Sequence, residues 1–369
     1  MGVDSATAVP FAPTGVARLL SLDAFRGFTM LAMVSGGLGM KNLISDPTWG
    51  WLAEQMDHRA WEGCTAWDLI QPAFLFMVGV AMPFSFARRQ EQGESWGRQF
   101  GHVLQRCLLL AAIGIFLDCY AERRIYVQFI RVLQQIALAY PIAFLVLKRG
   151  IATQAITALL ILIIHPLAFV FYQRWTDAAP DAWTIHANFG SYLDSLLHLQ
   201  PSRDGYATFN AFSSAATILF GVMAGELLRS RWSAWTKLAV LVAAGLAGLA
   251  VGWELTTWVP MIKRLWTSSF AVFAGGWTCL IMAGFYFLID ILHFRRWAFP
   301  FVIAGMNSIA IYVFAGICGE NVRRGLSPFL EVVLDKKSPG LPVALALLAV
   351  GVTWLFSYWL YRRRIFFKV

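Results

Sequence analysis

The chain has 369 residues, 58% of them hydrophobic and only 14% charged, with a mean hydropathy of +0.60; this excludes an ordinary soluble domain. Its formal charge of +9 comes from Lys and Arg scattered singly or in short clusters at the ends of apolar blocks. No basic arm and no basic patch interleaved with aromatics is present, so nucleic-acid binding has no support.

Ten apolar blocks follow one another, near 22–40, 67–87, 103–121, 127–147, 151–172, 209–228, 235–256, 267–289, 298–318 and 341–361. Each has about the 20 residues that cross a hydrocarbon core of roughly 30 Å. They predict an all-α, polytopic integral membrane protein with about ten transmembrane helices, not a barrel of short alternating segments. An even count puts both termini on one side. The clusters Arg88/Arg89, Lys148/Arg149, Arg229/Arg231, Arg295/Arg296 and Arg362–Arg364 fall on that side, so the termini are expected to be cytoplasmic. Residues 1–17 lack the basic start and apolar core of a cleaved signal peptide, and the first span is expected to double as the insertion signal. A single domain is expected over 1–369, with helical groups 19–172 and 209–361 separated by an outward loop at 173–208.

Polar residues at or inside these blocks are the informative ones. In LSLDAFRGFTML, Asp23 and Arg26 lie three apart on one helical face at the entrance of the first span. They read either as a salt-bridged helix start or as a site for a phosphorylated ligand, with Gly27 allowing close approach. The first outward loop ends in MDHRAWEGCTAWDLIQPAF (Met56–Phe74). Here His58 is a base suited to neutral pH, and Asp57, Glu62 and Asp68 are candidate orienting groups among which spacing does not choose. Asp68 opens the second span as a helix-dipole partner. Gln71 needs a partner at its depth, and Pro72 loosens the first turn.

RVLQQIALAY places Arg131 and Gln134–Gln135 in the fourth span, where a charge faces a cavity or a partner. His165, before Pro166, reads as a span-end residue. Lys263, Arg264, Trp266, Thr267 and Ser268 cluster at the outward head of the eighth span, on the side of His58. Asn307 and Ser308 are buried-polar candidates among small neighbours. Cys64, Cys107, Cys119, Cys279 and Cys318 show no CxxC or zinc-like spacing, so packing residues are expected, without a disulfide framework or metal site.

Taken together and in order, SLDAFRG, the pattern HxxWxGxxxxDLxxPxFxFxxG from His58 to Gly79, RVLQQIALAY, KRLWTSSF and PFVIAGMNSIAIY closely resemble the heparan-α-glucosaminide N-acetyltransferase family of transmembrane acyltransferases. The resemblance runs from Leu19 to Tyr312. It implies acetyl-CoA as donor, entering from the cytosolic side, an amino-sugar or related glycan acceptor on the outer side, and no metal. It implies a catalytic role for His58, with Asp68 beside it. CoA contacts are implied at Arg26, Arg131, Gln134 and Asn307, and acceptor or oxyanion contacts at Asp57, Lys263, Trp266 and Ser268. A bacterial inner-membrane location with lipid around the spans also follows, and a homodimer is left open. One position departs from the pattern: Gly37 stands where the first span of relatives commonly ends in asparagine. The rival readings are a small-solute transporter built on broken helices, an O-acetyltransferase with a hydroxyl acceptor, and an assembly protein whose buried polar groups join helices.

Overall fold

The structure, a computed structural model, describes residues 19–176 and 181–367; the expectation for the first seventeen residues lies outside them. In chain order the helices are α1 (Leu20–Ser35), α2 (Gly50–Gln55), α3 (Ile70–Glu91), α4 (Trp96–Glu122), α5 (Val132–Val146), α6 (Ile151–Thr176), α7 (Phe189–Leu196), α8 (Asn210–Arg229), α9 (Ala234–Glu254), α10 (Ser268–Tyr286), α11 (Phe299–Met306), α12 (Ser308–Glu331) and α13 (Gly340–Arg362).

All ten apolar blocks are helical. Among the described residues, however, seven helices are long and apolar enough to cross a membrane, or eight if α11 and α12, bent by 72° at Asn307, form one broken span. Of the expected ten or so spans, seven or eight thus have full membrane length, and the two shorter helices α1 and α5 each have a local reason for their length. α1 has 16 residues, about 24 Å at the helical rise, because Gly36 and Gly37 adopt φ of +60° and +69°. Glycine takes that left-handed conformation without a Cβ penalty, and it ends the helix. α5 has only 15 residues and starts after Arg131, whose extended backbone (φ −87°, ψ 165°) makes it the N-cap residue. Arg131 thus sits at the mouth of α5 and not inside a span.

One core cluster draws on helices before and after the 173–208 connection: Leu75 of α3, Leu133 and Ile136 of α5, Ile218 of α8 and Phe270 of α10 are all buried in it. α3 and α8 touch backbone to backbone. A methyl group on Gly79 would run into the Ile218 carbonyl, and one on Gly221 into the Phe76 carbonyl. Small residues at such contacts let helices gain dispersion contact where lipid offers no hydrophobic drive. Leu108, Phe171, Leu246 and Leu355, on α4, α6, α9 and α13, point outward as exposed apolar side chains.

From residue 181 onward, the connection after α6 is packed. Trp183 and Ala207 join Phe169, Ile262 and Leu265 in a cluster against which Trp61 and Phe189 rest, so this connection meets the loop that carries His58. His165 is interior to α6, not at its end: it is fully buried, with its ring stacked on Phe209 at 5.2 Å and 7°.

Candidate functional site

Asp68 is fixed before it does anything else. Thr65 and Asp68 form a capping box around the 3-10 turn Ala66–Leu69 that leads into α3, a reciprocal arrangement that satisfies helix-start N–H groups. The Asp68 Oδ2 atom accepts from the Thr65 N–H at 3.1 Å and the Arg59 N–H at 3.3 Å. That leaves Oδ1 aimed away from its own loop.

At Oδ1 two partners converge. His58 Nδ1 lies 2.7 Å away and Lys263 Nζ 3.3 Å away. A carboxylate oxygen only accepts, so the short contact assigns a ring hydrogen to Nδ1, and in the neutral imidazole Nε2 then carries the lone pair. Lys263 Nζ is 2.9 Å from Nδ1 and 3.4 Å from Nε2. An atom in the ring plane on the Nδ1 axis would be much farther from Nε2 than from Nδ1. The near-equality puts the ammonium over the imidazole ring instead. Any proton taken up on Nε2 then creates a second positive charge beside Lys263, with Asp68 as the shared counter-charge. The side chains of Asp68 and Lys263 are 1% and 6% exposed, whereas that of His58 is 40% exposed. A buried ion pair forms the base, and the imidazole is its accessible cap.

The segment that delivers Lys263 is tightly determined. Trp266 is fully buried with φ +56°, a conformation that strains a bulky residue by about 1–3 kcal/mol and persists only where surroundings enforce it. They do so here. Trp266 N–H donates to the Lys263 carbonyl at 2.9 Å and Thr267 N–H to the Ile262 carbonyl at 3.2 Å, while Thr267 Oγ1 accepts from the Ile262 N–H at 2.9 Å. The Trp266 indole N–H donates to Thr217 at 3.1 Å. Ser268 Oγ donates to the Leu162 carbonyl at 2.5 Å. That carbonyl is the one that Pro166, four residues on and lacking an N–H, cannot serve in α6. The donors of Trp266 and Ser268 are therefore engaged in holding the turn. Gly63 N–H also reaches the Met261 carbonyl at 2.8 Å, tying the His58 loop to the same turn.

The remaining sequence candidates fall into three groups. Asp57 stays next to His58: its Oδ1 accepts the His58 N–H at 2.9 Å, and its carboxylate faces Lys41 at 3.6 Å. Arg131 and Gln134 both bind Asp118, Arg131 through an Nε–Oδ1 ion pair and Gln134 through Nε2 to Oδ2 at 2.7 Å. Asp118 was absent from the sequence candidates; a carboxylate inside the apolar block 103–121 was the available signal. Gln71, expected to need a partner, donates to Gln135 at 2.5 Å.

Arg26 and Asn307 lie elsewhere, each near the end of α11 but bound to different partners. Arg26 binds Asp23 Oδ1 and the Gly305 carbonyl, both at 2.7 Å, and Gly27 packs on the backbone of Phe301 and Gly305. Asn307 bonds the Ile365 carbonyl and the Phe367 N–H, each at 3.1 Å. This group lies toward the start of α1. Gly37, past its end, is the position that abuts the Met56 carbonyl, two residues before His58. Arg26 and Ser35, the last residue of α1, are nine positions apart, roughly 14 Å of helix, and Gly37 lies beyond.

Cys64 is the thiol of the loop between His58 and Asp68. Burial, reinforced by the Asp68 charge and opposed by Lys263, pushes it up to about 12, so it is a thiol and not a thiolate at neutral pH. Among the described residues no grouping of three or more His, Cys, Asp or Glu could hold a metal ion. The arrangement as a whole offers an accessible base with a fixed tautomer and a cation beside it.

Residues 18–247 match the sequence model of the heparan-alpha-glucosaminide N-acetyltransferase catalytic family. Two similar proteins are the heparan-alpha-glucosaminide N-acetyltransferases of Homo sapiens, 24% identical over 416 residues, and Mus musculus, 23% identical over 417. Each alignment covers 95% of this chain and 60% of the relative.

Proposed function

The chain belongs to the heparan-alpha-glucosaminide N-acetyltransferase catalytic family, and from that premise we propose that it transfers an acetyl group from acetyl-CoA to the amine of an amino sugar or related glycan at a membrane. The observation that carries this reading is the open Nε2 of His58, backed by the buried Asp68–Lys263 pair. The neutral acceptor amine attacks the thioester carbonyl, forming the C–N bond. His58 Nε2 takes the proton that the nitrogen sheds, and Asp68 holds the imidazolium through Nδ1–H. Lys263, whose ammonium lies over the imidazole ring, stabilises the oxyanion of the tetrahedral intermediate. Collapse breaks the C–S bond, and the proton on His58 passes to the leaving thiolate, giving free CoA and the amide.

With both termini cytosolic, as the charge distribution argues, His58 opens outward. The donor then has to reach it from the other end, past α1 and α11, where Arg26 and Asn307 lie. Arg131 and Gln134 belong to the acceptor end in this picture.

The purified 369-residue chain, given acetyl-CoA and glucosamine, is expected to release CoA only when the acceptor is present. His58→Ala should lower that rate roughly 10²–10⁴-fold, the range of a general base, while still binding acetyl-CoA. Unchanged turnover in His58→Ala would reject the base. A wild-type protein that releases no CoA but carries acceptor into liposomes would reject acyl transfer for transport.

A further inference from the structure

Two cavities lie at the end of α3 opposite Asp68, and neither is lined by a residue assigned to the acyl transfer above. The larger, about 550 Å³, is lined by Trp96, Phe144, Leu145, Lys148 and Arg149. The smaller, about 110 Å³, shares Lys148 and adds Gln90, Glu226 and Arg229 to an apolar wall. Lys148 is anchored: its Nζ donates to Gln99 Oε1 at 3.2 Å, and the buried Gln99 amide is tied to the Glu94 carbonyl at 2.9 Å. Glu226, the acid in the smaller lining, is held by Gln154 Nε2 at 2.7 Å. The shelf of the larger cavity is aromatic. Trp96 stacks on Phe100 (5.3 Å, 10°), and Phe100 on Phe144 (5.9 Å, 23°). α4 begins at Trp96 and α6 at Ile151, so two helix starts add positive potential to two cations. Trp96, Leu145 and Ile151 are exposed beside it.

From this combination we infer that the larger cavity binds the phosphodiester headgroup of an anionic phospholipid. Lys148 and Arg149 meet the phosphate, and the aromatic shelf meets the glycerol and the first acyl carbons. A lipid is the occupant because the cavity sits at the ends of two membrane-length helices, α4 and α6, with exposed apolar side chains at its edge. Cations at that level attract anionic lipid, and aromatic side chains settle there. A soluble phosphate would use the cations and leave the shelf empty.

Native mass spectrometry of the 369-residue chain in detergent, with phosphatidylglycerol or phosphatidylcholine added, tests this. Phosphatidylglycerol should be retained in preference. Lys148→Gln/Arg149→Gln should weaken its retention roughly tenfold or more, following the contribution of each cation near an anionic lipid. Lys336→Gln/Lys337→Gln, a basic pair in another loop, should leave it unchanged. Lys148 also braces Gln99, so Arg149→Gln is measured alone. The Arg149 side chain has no bond or ion pair among the described residues, and its loss should still cost several-fold in retention. Equal retention of both lipids by the wild type, or undiminished phosphatidylglycerol in both variants, overturns the inference. Displacement of the lipid by equimolar inorganic phosphate or CoA overturns it in favour of a soluble phosphate ligand.

Discussion

Two buried carboxylates near the same end of the bundle have been neutralised in nearly the same way, to different ends. Asp68 is paired with Lys263 and a third group, His58. Asp118 is paired with Arg131 and a third group, Gln134. Their side chains are 1% and 2% exposed, so each depends on its partners for solvation. The difference lies in the third member. Gln134 is an amide and cannot take a proton. His58 can, and its Nε2, which the carboxylate does not hold, belongs to a side chain that is 40% exposed. A satisfied buried charge says little about function; an acid–base atom left uncommitted beside it says much more.

That contrast predicts unequal mutants. Lys263→Met removes the cation beside the reacting carbonyl and should lower turnover roughly 10²–10³-fold, as loss of an oxyanion donor does, with the KM for acetyl-CoA little changed. Both variants strip a buried carboxylate's ion pair and cost stability, but Asp118→Asn should do so without the loss of turnover. It weakens a charge-assisted hydrogen bond and an ion pair, lowering stability by about 1–3 kcal/mol, while turnover measured below the melting transition stays near the wild-type value. Thermal melting in detergent alongside CoA release reads both. An Asp118→Asn protein with normal melting and abolished turnover would erase the distinction between the clusters and move Arg131 into the chemistry.

The same two clusters mark how far residues alone could be read. Apolar length reveals helices directly, which is why all ten blocks became helical. It does not reveal where turn chemistry stops them: Gly36–Gly37 cuts α1 short, and Arg131, which hydropathy places within a span, caps α5. His58 and Asp68 share one short segment, so their pairing was within reach, although Asp57 and Glu62 competed for the role. Lys263 is 205 positions from His58; span order put both on the outward side, but the contact itself is made by a turn whose strained Trp266 no periodicity announces. Asp118 and Arg131 meet because α4 and α5 fold back on one another, and no helical spacing links them. Trp266 and Ser268 looked like free donors because a sequence displays donors without their acceptors. In the fold one holds Thr217 and the other mends the gap left by Pro166.

The smallest expected effect lies inside the His58 cluster itself. Cys64 feels the charges of both Asp68 and Lys263, and a thiolate there would be a competing nucleophile. Burial argues otherwise by holding the thiol near 12. A group with its pKa raised this far is still protonated across the working range, and its thiolate fraction keeps climbing as pH rises. Alkylation of Cys64 by iodoacetamide, followed by peptide mass spectrometry, should therefore be slow at neutral pH and still accelerating at about pH 10, whereas an ordinary thiol levels off above its pKa of about 8.5. Cys64→Ser should leave turnover within about twofold, the scale of a substitution that removes no contact used by the mechanism. An early plateau in labelling would mean that the Lys263 charge outweighs burial. Together with a large loss of turnover in Cys64→Ser, it would give the acyl group a second landing place, and the imidazole would no longer be the cluster's one open reactive atom.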